Sequence, residues 1–152
     1  MQTIASTGIR ISELSAISVE AVNTGQATIN CKGKLRQIFL PKALCKMLKE
    51  YIKRRNIQSG SVFVTRTGKP LDRCRVWKLL KGLCESANVS KDKVFPHNFR
   101  HLFARTFYSL QKDIVRLADI LGHSSVETTR IYTMESGTEH IKLMQKLGLL
   151  RC

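Results

Sequence analysis

The chain has 152 residues, of which 43% are hydrophobic and 24% are charged, as is usual for one soluble globular domain. Its 26 lysines and arginines against 11 aspartates and glutamates give a formal charge of +15, which predicts attraction to a polyanion and favours nucleic acid. No apolar run reaches the roughly 20 residues of a membrane span, and five scattered cysteines favour neither a disulfide framework nor a zinc site. We therefore expect a protein of a cytosolic, reducing compartment.

The first segment, MQTIASTGIRISEL, predicts the end of one helix, a break at Thr7 and Gly8, and a second helix that begins near Ser12. Because the sequence begins with only the last turns of a helix, we expect that the chain has been trimmed upstream and is part of a longer protein. Arg10 follows the glycine turn and lies between two isoleucines. It could pair with Glu13, extend its charged end to solvent, or bind an anion.

Strand signals are few. Residues 26–40, QATINCKGKLRQIFL, alternate on both sides of a Lys/Gly centre and predict a β-hairpin with Lys32 at its tip. Residues 61–65, SVFVT, followed by RTGKP, predict a third short strand and a turn. Hairpin tips are commonly rich in lysine for solvation, so Lys32 alone does not indicate a site.

Helical patterning dominates the rest of the chain. Apolar residues at i, i+3, i+4 and i+7 predict amphipathic helices around residues 44–52, 76–87 and 99–110, and a shorter one at 114–121 that ends at Gly122. These elements predict an α+β fold, mostly helical, with a small antiparallel three-stranded sheet.

The helix around residues 99–110 begins with the segment FPHNFRHLFA. His97 and Arg100 are three residues apart and share a face, which the pattern turns away from the apolar residues. Pro96 places His97 in the first turn, where free backbone N–H groups favour an anion. An isolated HxxR pair is more often a solvated surface, and His101 is interpreted as structural.

The segment LGHSSVETTRIYT follows the helix that ends at Gly122. Ser124 and Glu127 predict a capping box that opens another helix. His123 is then held at a junction between two helices, and Tyr132 lies about two and a half turns further along. Capping explains Ser124 and Glu127, but it does not explain His123 or Tyr132.

Taken together and in this order, the segments TGIRISEL, CKGK, HNFR and LGHSSVETTRIY resemble the catalytic domain of the tyrosine recombinases, the phage integrase family, over residues 7–133. The chain looks most like integrases of bacterial mobile elements and Xer-type recombinases. The resemblance implies a catalytic domain over residues 1–152, the C-terminal part of a longer recombinase without its N-terminal DNA-clamping domain.

By this resemblance the chain is a site-specific recombinase or integrase that cleaves and rejoins DNA through a covalent 3′-phosphotyrosine, without a metal or another cofactor. Tyr132 would attack, Arg10 and Arg100 would bind the scissile phosphate, and Lys32 would protonate the departing 5′ oxygen, with Lys34 as the alternative. Two histidines would assist. The implied catalytic residues are Arg10, Lys32, His97, Arg100, His123 and Tyr132.

The residues themselves support this chemistry. Tyrosine, with a pKa of about 10, is a poor nucleophile at neutral pH, and nearby guanidiniums favour its anion and offset charge on the phosphate. Two alternatives stay open: a DNA-binding module that has lost its chemistry, and an enzyme similar to type IB topoisomerases.

The resemblance also implies partners and a location. The partners are double-stranded DNA and other protomers in a tetramer on DNA, and the location is the bacterial cytoplasm, at the nucleoid during the reaction. The C-terminal segment GTEHIKLMQKLGLL would pack on its own core or on a neighbouring protomer.

Overall fold

The structure, a computed structural model, describes residues 1–31, 33–132 and 146. This part of the chain is mostly helical with one small antiparallel sheet, which confirms the predicted fold class. The helices are α1 (Gln2–Thr7), α2 (Val19–Thr24), α3 (Lys42–Arg55), α4 (Arg73–Ser86), α5 (Pro96–Gln111), α6 (Ile114–Leu121) and α7 (Glu127–Arg130). Short 3₁₀ helices span Ile11–Ala16 and Lys91–Lys93, and the strands are β1 (Gln26–Cys31) and β2 (Lys34–Phe39).

The sheet is the predicted hairpin. Strands β1 and β2 pair antiparallel from Gln26 opposite Phe39 to Cys31 opposite Lys34. The prediction of a third strand at residues 61–65 is wrong for the described residues, because this segment forms only isolated bridges, from Ser61 to Ser18 and from Val64 to Pro70. Its partners lie in two different loops, and a turn follows at once, so no continuous ladder forms.

Two apolar clusters form the interior. The larger one lies between α1, α2, α3 and the hairpin, and its most buried members are Ile9, Ile17, Val22 and Val62. The smaller one joins α5 and α6 through Ala104, Leu117 and Leu121. Helix α1 packs against α5, and hydrogen bonds of Arg100 and Arg36 bring the ends of α1 and α6, the start of α5 and strand β2 to one region.

The orientation of α5 differs from the predicted one. Arg100 and Ala104 are its buried residues, whereas Leu102 and Leu110 expose 57% and 76% of their surface. The predicted outward orientation of Arg100 is therefore wrong. An arginine can be buried here because backbone carbonyl groups of α1 and α6 accept its hydrogen bonds.

Helix α6 ends at Gly122 as predicted, with a left-handed φ of 64°. The predicted capping box of Ser124 and Glu127 is wrong: α7 begins only at Glu127, whose N–H donates to Ser125 Oγ at 3.2 Å. Helix α7 is a single turn, Glu127–Arg130. Tyr132 therefore lies just beyond α7 and not on a long helix.

Among the helices of the described residues, none combines the length and the apolar character that crossing a membrane requires.

Candidate active site

The predicted site residues lie on short segments between elements. Arg10 follows α1, His97 and Arg100 occupy the first turns of α5, His123 follows α6, and Tyr132 follows α7. The structure brings these five residues together. Lys32 lies outside the described residues, and the C-terminal segment of residues 137–150 does so too, except residue 146.

Arg100 is the most buried charged residue of the group, with 3% of its surface exposed. Its Nη1 donates to the carbonyl oxygen of Gly8, and its Nη2 donates to the carbonyl oxygen of Leu121 at 2.7 Å and to His123 Nε2 at 3.1 Å. Burial, together with the charges of Arg10 and Arg36, lowers the pKa of Arg100 to about 10. Arg100 therefore stays charged at neutral pH and links α1, α6 and His123.

Arg10 is held by Glu13 and remains open to solvent. The carboxylate of Glu13 accepts the Arg10 backbone N–H at 2.9 Å and Nη1 at 3.1 Å, and Arg10 Nη2 donates to the carbonyl oxygen of Gly122 at 3.1 Å. The Arg10 side chain keeps 33% of its surface exposed. It thus makes the predicted pair with Glu13 and can still meet an anion.

Arg36 is a third arginine at the site, and the motif comparison does not single it out. Its Nη2 donates to Glu13 Oε2 at 2.6 Å, and its Nη1 donates to the carbonyl oxygen of Leu121. A signal was present in the sequence: Arg36 alternates with Ile38 and Leu40, which are both buried. An arginine at an inward position of a strand needs a partner inside the protein.

His123 connects Arg100 to the segment that carries Tyr132. Arginine only donates hydrogen bonds, so His123 Nε2 accepts from Arg100. The proton of the neutral ring is then on Nδ1, which donates to Thr129 Oγ1 at 2.8 Å. Burial and the neighbouring arginines, Arg100 first, lower the pKa of His123 to about 4, so the ring is neutral at pH 7.

The ring of Tyr132 lies between two histidines and has 7% of its surface exposed. Its centroid is 4.8 Å from that of His101, edge to face, and 6.2 Å from that of His123, nearly parallel. His101 also meets His97 at 4.7 Å. Burial, His97 and Arg105 lower the pKa of His101. The residue interpreted as structural in the sequence therefore contacts two of the predicted site residues.

A cavity of about 330 Å³ opens at this site, and Arg10, Arg73, Trp77, His97 and Arg100 contribute to its lining. A larger cavity of about 500 Å³ lies at the end of α3 and the turn at residues 65–68, and it contains none of the predicted site residues. In the part of the chain that the structure describes, no group of three or more His, Cys, Asp or Glu side chains could hold a metal ion.

Comparison with known proteins gives one family. The sequence model of the phage integrase family matches residues 1–139. Tyrosine recombinase XerC of Herpetosiphon aurantiacus is 32% identical over 154 residues, covering 95% of this chain and 50% of that protein. Tyrosine recombinase XerA of Pyrococcus furiosus is 32% identical over 151 residues, covering 95% of this chain and 52% of that protein. The chain thus spans about half the length of the curated relatives it matches.

The fold is also found among solved structures. The crystal structure of a XerA recombinase superimposes with a TM-score of 0.76 at 26% sequence identity, covering 99% of this chain and 55% of that one.

Proposed function

The chain belongs to the phage integrase family, and on that premise we propose that it cleaves and rejoins DNA strands through a covalent 3′-phosphotyrosine. One observation carries the proposal. Arg10, His97 and Arg100 line a single cavity, and His123 joins Arg100 to the segment that ends in Tyr132. The proposed phosphate ligand Arg100 is thus joined, through hydrogen bonds of His123 and Thr129, to the segment that carries the proposed nucleophile.

In the proposed reaction Arg10 and Arg100 donate to the non-bridging oxygens of one phosphodiester. Guanidinium forks match phosphate geometry, and fixed donors stabilise the charge that develops in the transition state. Arg10 reaches the cavity because a third of its side chain is exposed, and the carbonyl groups of Gly8 and Leu121 fix Arg100. Both cations are therefore in place before the substrate arrives.

The phenolic oxygen of Tyr132 attacks phosphorus. A bond forms between that oxygen and phosphorus, the bond from phosphorus to the 5′ oxygen breaks, and the tyrosine proton passes to solvent water. Lys32 donates a proton to the departing 5′ oxygen; this assignment comes from the motif comparison, with Lys34 as the alternative. The reverse attack by a 5′ hydroxyl rejoins a strand. No ATP is needed because the phosphotyrosine ester replaces the broken phosphodiester bond and is exchanged for a new one.

Neutral His123 has a role that follows from its contacts. It accepts from Arg100 and donates to Thr129, so it fixes the orientation of the phosphate-binding guanidinium relative to the Tyr132 segment. His97 lines the cavity and would contact the phosphate or an attacking group directly. These assignments give the two histidines different parts in the reaction.

The proposed substrate is double-stranded DNA, on which four protomers act together in the bacterial cytoplasm. The formal charge of +15 and the similarity to proteins named tyrosine recombinases support the DNA assignment. The family resemblance supports the tetramer. We propose that the C-terminal segment packs on its own core or on a neighbouring protomer.

Covalent capture tests the reaction without knowledge of the target sequence. We would incubate the chain with a pool of duplexes of random sequence that carry a nick, so that the short 5′-hydroxyl fragment diffuses away after cleavage. Adducts that survive detergent are then sequenced. We expect an adduct for the wild type and none for Tyr132→Phe.

The other two tyrosines of the chain provide matched controls. Tyr51→Phe and Tyr108→Phe remove the same hydroxyl group elsewhere and should leave adduct formation intact. An adduct that persists in Tyr132→Phe contradicts the assignment of the nucleophile. A wild type that forms no adduct with any duplex of the pool contradicts the proposed reaction.

A further inference from the structure

Arg36 lies at the candidate site but has no role in the proposed reaction. It lies in β2 opposite Ile29, and its side chain is 11% exposed. Its terminal nitrogens contact two separate segments, because Nη2 donates to Glu13 in the 3₁₀ helix after Arg10 and Nη1 donates to the carbonyl oxygen of Leu121 at the end of α6. Arg36 thus joins the hairpin to two loops of the site.

Each of these acceptors is shared with a proposed phosphate-binding arginine. Glu13 also accepts from Arg10 at 3.1 Å, and the carbonyl oxygen of Leu121 also accepts from Arg100 at 2.7 Å. A guanidinium is planar and rigid, so the width of the Arg36 fork sets the separation of the two acceptors. The separation of Arg10 from Arg100 depends on Arg36 for this reason.

The backbone at Gly122 leaves room for this contact. A Cβ atom at Gly122 would overlap Arg36 Nη1 and would lie 2.7 Å from Arg36 Cδ. The residue also has a left-handed φ of 64°, which favours glycine. The turn after α6 therefore closely surrounds the end of the Arg36 side chain, which the hydrogen bond to Leu121 holds there.

The charges of the cluster are unbalanced. Of three guanidiniums in the described part of the site, those of Arg10 and Arg36 pair with the carboxylate of Glu13, and that of Arg100 donates to backbone carbonyl groups and to His123. Arg36 is among the charges that, after burial, lower the pKa of Arg100 and of His123. Fixed cations close together create a positive potential that a phosphate anion relieves.

We propose that Arg36 is a positioning residue that holds Arg10 and Arg100 at the spacing of one phosphodiester before DNA binds. The proposal rests on the proposed function of those two arginines. In this arrangement Arg36 acts through Glu13 and Leu121 and not on DNA, because its side chain is only 11% exposed and both terminal nitrogens donate to these two residues. It contributes to the rate of cleavage by preorganisation and not by binding.

The first test separates rate from affinity. With captured duplexes at saturation, Arg36→Gln should slow single-turnover adduct formation by about 10- to 100-fold, since small misplacements of phosphate ligands cost that much, while the Kd for the duplex changes less than about twofold. Arg36→Lys keeps the charge but lacks the fork, so we expect it to be slow as well. Thermal melts verify that both variants fold. An unchanged rate in Arg36→Gln overturns the proposal.

A double-mutant cycle shows whether Arg36 acts through Glu13. If it does, the rate loss of Arg36→Gln combined with Glu13→Gln is smaller than the product of the two single losses, because one shared arrangement is lost. Losses that multiply show independent roles and overturn the proposal.

The last test needs no DNA. The imidazole titration of His123, followed by NMR, should move upward from its low midpoint in Arg36→Gln and stay low in Arg36→Lys. Arg105→Gln removes the same charge from an exposed site on α5 and should leave the His123 midpoint unchanged. An unmoved midpoint in Arg36→Gln overturns the proposal. A wild type that forms no adduct contradicts the proposed function instead, and this titration still tests the contacts of Arg36.

Discussion

Hydrogen bonding at His123 determines which of its two ring nitrogens carries the proton. Arg100 donates to Nε2, so the ring proton is on Nδ1 and the fully buried hydroxyl of Thr129 accepts it. Thr129 lies three residues before Tyr132 and its carbonyl oxygen accepts the Tyr132 backbone N–H at 3.0 Å. One residue therefore fixes both the state of His123 and the start of the tyrosine turn.

We predict that Thr129→Val changes the proton position on His123. Valine matches threonine in shape but cannot accept a hydrogen bond, so Nδ1–H is left unpaired and the free energy of unfolding falls by about 1–3 kcal/mol. Nitrogen NMR shifts should report a larger share of the Nε2–H form. Thr128→Val makes the same change at the exposed neighbouring residue and should alter neither quantity. Equal effects of the two variants would show that Thr129 does not hold the ring.

Motif spacing predicts Arg10, His97, Arg100, His123 and Tyr132 as candidate site residues, because such residues occur on short segments with recognisable neighbours, and the structure brings these five residues together. It could not show that Arg36 meets Leu121, a contact between residues 85 positions apart. The sequence also could not predict that Arg100 is buried, since its hydrogen-bond acceptors are backbone carbonyl groups, which every residue type carries.

At the scale of elements, the ends of helices build the site. The predicted end of α6 at Gly122 and the predicted hairpin are confirmed, because glycine and alternation are local signals. The predicted third strand is wrong because a strand needs a continuous neighbour, and residues 61–65 form only isolated bridges. The predicted capping box is wrong because Ser125, and not Ser124, accepts the backbone N–H of Glu127. Both errors concern a choice between local partners that three-dimensional packing decides.

Gly122→Ala tests how closely β2 and α6 fit together. We expect the free energy of unfolding in urea to fall by about 3 kcal/mol or more, from the left-handed φ and from displaced hydrogen bonds of Arg36. Gly60→Ala is the matched control: its φ is 75° and nothing lies within 4 Å of a Cβ there, so only about 1–2 kcal/mol should be lost.

The same two glycine substitutions in the Arg36→Ala variant show whether the Arg36 side chain causes the larger loss at Gly122. Without the arginine side chain, Gly122→Ala should cost no more than Gly60→Ala does in the same background. If the full loss persists, contacts other than those with Arg36 restrict the turn after α6.

At the scale of the whole molecule, the net charge predicts the class of partner, and the fold shows where basic side chains come together. The formal charge of +15 predicts attraction to a polyanion, but it cannot say which surface binds. Within the described residues, one basic cavity is lined by Arg10, Arg73 and Arg100, and another by Arg54, Arg55 and Arg66. At the second cavity, the basic residues of the last turn of α3 also complement the helix dipole, so their presence has a structural explanation.

The salt dependence of DNA binding distinguishes the two surfaces. The logarithm of the binding constant should fall linearly with the logarithm of salt concentration, with a slope of about −0.9 for each phosphate neutralised. If the duplex lies over the cavity of Arg10 and Arg100, Arg73→Gln removes one such contact and reduces the magnitude of the slope by about 1. Arg66→Gln removes the same charge at the other cavity and should leave the slope unchanged. Fluorescence anisotropy with a random-sequence duplex measures both, and equal changes in the two variants would place DNA over both cavities.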